Sequence, residues 1–217
     1  MAIKLYQFPG VCSGVTMNAL EEIGLEFEDI CVDFSKGGQK DPAYLAVNPK
    51  GKVPALDMDG TILTENAAIL WTLHKLHPSG GLFPETSDLM REHEYRSDLG
   101  WCSSAMHPAV RQMRFPNKFS NGETQGIREN GLEFLMAQAE RINARIGDAW
   151  WYGDAWTIVD TYVYWGFNVA SKGGFPIEEF PSLADHARRV RARPSYQRVI
   201  AREQAAIDRL GLKGMTA

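Results

Sequence analysis

Cysteine is scarce in this chain of 217 residues: Cys12, Cys31 and Cys102 are its only three. The count is odd and no two form a C-x-x-C pair, so a disulfide framework is not expected and a reducing compartment, the cytoplasm, is. Long apolar runs are missing as well. None approaches the roughly 20 residues that span a bilayer. The first residues lack a basic stretch followed by an apolar one, so no signal peptide is expected. An excess of positive charge is also absent. Lysine and arginine number 23 against 27 acidic residues, a net charge of −4, and nothing steers the chain toward nucleic acid or an anionic membrane. Metal-ligand spacing is missing too: His74, His77 and His93 have no cysteine or carboxylate partner in register, and no H-E-x-x-H occurs. The arginines between Arg188 and Arg202 alternate with apolar residues, which reads as a solvated helix face.

What is present is an ordinary globular balance, 44% hydrophobic and 23% charged, in a chain long enough to bury a core without cross-links. The first third alternates strand and helix signals. Ile3 to Phe8 reads as a strand ended by Pro9-Gly10. A helix follows with Val15, Ala19, Leu20 and Ile23 at helical spacing and Gly24 as its cap. Phe27 to Phe34 reads as a second strand, and Asp41-Pro42 opens a short helix stopped at Asn48-Pro49. Lys52 to Met58 and Thr61 to Leu63 read as a hairpin around Asp59-Gly60. A helix from about Glu65 to Leu76 completes a mixed four-stranded sheet.

Beyond Ser79-Gly80-Gly81 the strand signals vanish. Helices are expected over 89–113, 125–146, 158–171, 182–193 and 196–210. Leu132, Leu135, Met136, Ala139, Ile142 and Ile146 form one apolar stripe that belongs to the core. The expected architecture is α/β plus all-α: an α/β domain over 1–80, a linker over 81–87 and an all-helical domain over 88–217.

Three local features could carry chemistry. Cys12-Ser13 stands where a strand gives way to a helix. Free amides and the helix dipole favour negative charge there and can depress a thiol pKa. The alternative is a small buried cysteine beside a helix-capping serine. Val53-Pro54 opens a strand with a residue that cannot donate to the ladder. A cis bond there would turn the Val53 amide and carbonyl toward an extended peptide-like ligand; the alternative is an edge-strand proline. Thr64-Glu65-Asn66-Ala67 precedes a helix. Glu65 could hold an ammonium and Asn66 a carboxylate, the two ends of an α-amino acid; the alternative is plain capping by Thr64. Together the three suit a short peptide with a γ-linked amino-acid head and a reactive thiol.

These stretches carry a resemblance. Pro9-Gly10-Val11-Cys12-Ser13, Asn48-Pro49-Lys50-Gly51-Lys52-Val53-Pro54-Ala55-Leu56 and Leu63-Thr64-Glu65-Asn66-Ala67-Ala68-Ile69 resemble the thioredoxin-like N-terminal domain of cytosolic glutathione transferases. Thr157-Ile158-Val159-Asp160 resembles the buried capping box of that family's helical domain. The Cys12-Ser13 pair, with Ser103-Ser104-Ala105-Met106-His107, is most similar to the bacterial beta class. Asn66 stands where the family often has serine, Ala105 where beta-class members usually have an acidic residue, and Gly100 where they carry a polar one.

The resemblance implies a glutathione transferase that binds glutathione as co-substrate and activates its thiol for attack on a small electrophile. It assigns Cys12, Ser13 and His107 to catalysis, with His107 facing the active-site cleft. It assigns Lys52, Val53, Pro54, Glu65 and Asn66 to glutathione binding. The electrophile pocket is expected between the domains, with Val11, Met106, Met113, Phe115 and Trp165 as wall candidates that read equally as core. The resemblance also implies a cytoplasmic homodimer acting in detoxification, with no nucleic-acid or membrane partner and no metal. Two other readings stay open: a thiol-disulfide reductase or dehalogenase using Cys12 covalently, and a non-enzymatic ligand-binding protein on the same fold.

Overall fold

Ile3, Leu5 and Gln7 alternate with Lys4 and Tyr6, and that period of two makes β1 (Ile3–Gln7), buried on alternate residues. The chain turns at Pro9-Gly10 and climbs α1 (Ser13–Ile23), which ends at Gly24. It returns as β2 (Glu28–Cys31), parallel to β1 with Lys4 opposite Glu28 and Gln7 opposite Cys31. A short helix, α2 (Pro42–Val47), begins where Asp41 accepts the Ala43 amide. β3 (Ala55–Met58) runs antiparallel on the other edge of β1, with Leu5 opposite Leu56. β4 (Thr61–Thr64) folds back on β3 through a turn in which Asp59 and Gly60 both take positive φ, 50° and 89°. That is the backbone of a tight hairpin turn, and it is why the Asp-Gly signal is strong. The sheet order is β2-β1-β3-β4, the expected mixed four-stranded sheet, and α3 (Asn66–Leu76) follows it. The structure, a computed structural model, describes residues 2–212.

Two strands are shorter than their sequence pattern. The Asp33 side chain accepts the Ser35 amide and winds the chain into a 3₁₀ turn, so β2 stops before Phe34. Pro54 has no N–H for a ladder, and the Lys52 carbonyl is taken by Tyr44 Oη and Asn48 Nδ2, so β3 starts only at Ala55.

The second unit, Thr86–Ala192, is helical. α4 (Leu89–Trp101) passes through a π-helical turn, Cys102–Met106, into α5 (His107–Arg114). The sequence pattern reads as one unbroken helix here. Pro108 explains the difference: it has no N–H for the Ser104 carbonyl, and the His107 amide bonds instead to the Cys102 carbonyl five residues back. α6 (Gln125–Ile146) buries Leu135, Ala139, Ile142 and Ile146, while Leu132 and Met136 of the expected stripe are only half-buried.

α7 (Ile158–Ser171) opens with the capping box. Asp160 Oδ2 accepts the Thr157 amide at 2.7 Å, and its Oδ1 accepts the Trp151 amide and pairs with His186 Nε2, both at 2.8 Å. His186 lies on α8 (Pro181–Ala192). All the polar groups at this junction are buried, so Asp160 acts as a structural hub.

The last helix, α9 (Pro194–Leu210), groups with the sheet, although the expected helical domain runs to the end of the chain. Residue 1 and residues 213–217 of the expected domains lie outside the described residues. The arginines of α9 do more than form the solvated face their spacing suggests. Arg198 and Arg202 pair with Glu21 of α1, Arg202 also reaches Asp29 of β2, and Arg193 pairs with Glu22. Val199, Ala206 and Ile207 are buried beneath them. Among the described residues, no helix is long and apolar enough to cross a membrane.

Candidate active site

The sheet unit brings together most of the residues expected to act. Cys12 sits at the N-cap of α1 with no side-chain cap of its own. Its thiol points across to the Val53 carbonyl, Sγ to O 3.5 Å, and is mostly buried. The Val53-Pro54 peptide bond is cis. The Val53 N–H donates to no acceptor among the described residues. The loop carrying it is held from behind, since Tyr44 and Asn48 both fix the Lys52 carbonyl. The Lys52 side chain is exposed. Phe8, Val32, Tyr44 and Val53 form a small apolar cluster under this corner, with Val11 packed against it.

Glu65 occupies the N-cap of α3 with φ 69° and ψ 117°. A non-glycine residue in that region is strained, and such strain concentrates where a side chain must be aimed. Thr64 does not cap the helix; no side chain does. The opening amides of α3 are therefore uncapped by any side chain next to Glu65, a pairing suited to a zwitterionic amino-acid head. Glu65 is 66% exposed and is met by Lys50, Nζ to Oε1 2.7 Å.

The side chains of two expected residues are engaged within the sheet unit. Ser13 is fully buried. Its hydroxyl donates to the Phe8 carbonyl and accepts the Phe8 amide, both at 3.2 Å, so it pins the start of α1 to the end of β1. Asn66 is buried too. Its Nδ2 donates to the Cys12 carbonyl at 2.7 Å and its Oδ1 accepts the Thr16 hydroxyl at 2.5 Å. The Asn66 side chain is thus a strut that fixes the two helix starts against each other. His107 belongs to the helical unit, where its ring stacks edge-on against Trp165 with centroids 4.6 Å apart. Met106, Met113 and Trp165 are core residues of that unit, whereas Phe115 is exposed.

The other two thiols are held protonated. Burial pushes Cys31 up to about 11, with Asp33, Asp29 and Glu203 adding to the shift and Arg209 opposing it. Cys102 is fully enclosed, and desolvation raises its pKa well above the ordinary range. Cys12 is the one cysteine at the N-cap of an α-helix.

Sequence reasoning missed Thr16, Tyr44, Asn48 and Lys50. Each acts on the site through a contact 8 to 50 residues away or through a backbone group, and only the Asn48-Pro49-Lys50-Gly51 motif offered a local signal for any of them.

Comparison with known proteins gives consistent findings. Residues 1–71 match the family model of the glutathione S-transferase N-terminal domain. The chain is 28% identical over 204 residues to glutathione S-transferase GstA of Escherichia coli O157:H7, a match covering 93% of this chain and 98% of that protein. A crystal structure of a glutathione transferase homolog from Sulfitobacter with bound glutathione has a TM-score of 0.80 at 28% identity, covering 97% of this chain and 98% of that one. A bacterial beta class glutathione S-transferase from Sphingomonas chungbukensis has a TM-score of 0.79 at 28% identity, over 92% and 98% of the two chains.

Proposed function

We propose that this chain is a glutathione S-transferase, a reading supported by the match of residues 1–71 to that family's N-terminal domain and by the likeness to GstA and to the two solved transferases, and that its sheet unit binds glutathione across the corner formed by Cys12, Val53 and Glu65 and presents the sulfur for attack on an electrophile. The γ-glutamyl ammonium is assigned to Glu65 and its carboxylate to the opening amides of α3. The cysteinyl backbone is assigned to the N–H and carbonyl of Val53, beside Lys52 and Pro54. The sulfur then meets Cys12 at the head of α1. There the helix field and nearby donors favour the thiolate, each unit of pKa lowering corresponding to about 1.4 kcal/mol. The observation that carries this reading is the short chain of contacts joining the three pieces: Asn66 to the Cys12 carbonyl, and the Cys12 thiol to the Val53 carbonyl.

Of the two adjacent candidates, Cys12 is the better one for the group that meets the sulfur, because the single proton of the buried Ser13 hydroxyl is already donated to the Phe8 carbonyl. We assign Ser13 and Asn66 to holding the turn. His107 keeps a supporting role in catalysis on the motif resemblance alone. The same geometry favours one second reading, a glutathione-dependent thiol-disulfide reductase in which Cys12 forms a mixed disulfide. We further propose a cytoplasmic homodimer of bacterial type acting in detoxification.

Calorimetry with glutathione tests the binding site, and heat at millimolar ligand is expected. Cys12→Ala separates the two chemistries. Loss of reduction with conjugation retained supports the mixed disulfide; loss of both supports thiolate activation by Cys12. Unchanged rates in both assays would remove Cys12 from the mechanism. Light scattering checks the dimer, with a mass near twice that of one chain expected.

A further inference from the structure

The carboxylate assigned to the ligand's ammonium already has a cation beside it. Lys50 Nζ lies 2.7 Å from Glu65 Oε1 and 3.1 Å from Thr64 Oγ1. Thr64 and Glu65 are successive residues at the end of β4 and the start of α3, so this ammonium is held by the two side chains flanking the strained backbone of Glu65. Lys50 is well placed to come and go. Its side chain is 53% exposed, and its backbone is anchored separately where its amide donates to Asn48 Oδ1.

We propose that Lys50 is an internal stand-in for the ligand's α-ammonium and thereby sets how strictly the site demands a free amino group. This rests on the glutathione-site reading above. When glutathione arrives, its ammonium competes with Lys50 for the Glu65 carboxylate, so part of the gain is cancelled. When a ligand lacks the amino group, Lys50 remains on Glu65 and shields the ligand's carboxylate from it. Both effects narrow the preference for an aminated head group. The exposed pair is weak, so the energy involved is small, but it bears directly on a ratio of affinities.

The test compares glutathione with glutaryl-cysteinyl-glycine, the same molecule without its α-amino group, by calorimetry on the full chain. In Lys50→Met, glutathione should bind about threefold tighter and the deaminated ligand about threefold weaker, widening the ratio roughly tenfold. Lys50→Arg should keep the wild-type ratio. Glu65→Gln should shrink it toward one, because no anion is left to read the ammonium. If Lys50→Met leaves the ratio unchanged or narrows it, Lys50 is not a competitor and the proposal fails. If the wild-type chain binds neither ligand, the glutathione-site reading itself falls, and Lys50 with it.

Discussion

The Asn66 side chain is buried and fully engaged, and it ties two helix starts together. Its amide links Cys12 at the start of one helix to Thr16 a turn further on, from a position 50 residues or more away. Asn66→Ala removes two buried hydrogen bonds and is expected to cost about 2 kcal/mol in urea unfolding. Glutathione affinity should fall with it, because the first turn of α1 is no longer tied to α3. The cysteines allow a second check. A thiol raised to about 11 holds only about a thousandth of its population as thiolate at pH 8. Cys31 should therefore react with iodoacetamide about a hundredfold more slowly in the folded chain than in the unfolded one, and catch up as pH rises toward 11. Mass spectrometry of alkylated peptides across pH reads this directly; equal rates at pH 8 would show that the burial is not felt. At this scale the sequence marked Cys12, Val53-Pro54 and Glu65, because each sits on a local turn or cap signal. It did not show what Ser13 and Asn66 do, because a hydroxyl or amide reads the same whether it faces a ligand or a neighbouring backbone group.

α5 and α6 pack backbone to backbone at Gly131. A Cβ there would lie 2.7 Å from the Ala109 carbonyl oxygen and 2.8 Å from the Met113 amide nitrogen, both backbone atoms that cannot swing aside. Gly131→Ala should destabilise by about 1–3 kcal/mol through overpacking, despite alanine's better helix propensity. Gly100→Ala on α4 meets nothing within 4 Å and should stabilise by up to about 1 kcal/mol. Thermal unfolding of the two variants should move in opposite directions. Helix positions were legible because the 3.6-residue period was clear; α6 and α7 begin and end where the pattern puts them. The π turn before His107 was not legible. A proline in the first turn of a helix is ordinary, and only the continuous packing of α4 into α5 makes the chain absorb Pro108 by widening rather than by breaking.

Over the whole molecule, the sheet unit is assembled from both ends of the chain. Periodicity identified α9 as a helix but could not say where it docks, since its partners Asn18, Glu21, Glu22 and Asp29 lie more than 160 residues earlier. A chain stopped after Ala192 should lose the sheet unit's cooperative unfolding transition and its retention on glutathione resin. It leaves α1 bare and Glu21 without Arg198 and Arg202. A truncated chain that still binds the resin would show α9 to be dispensable. The arrangement also sets an order of events in biosynthesis. Translation delivers the sheet within the first 64 residues, but at roughly 5–20 residues per second it waits about 7–30 seconds more for its last helix. The helical unit, contiguous in the chain, is complete before that helix leaves the ribosome. The part of the protein made first is therefore the part that matures last.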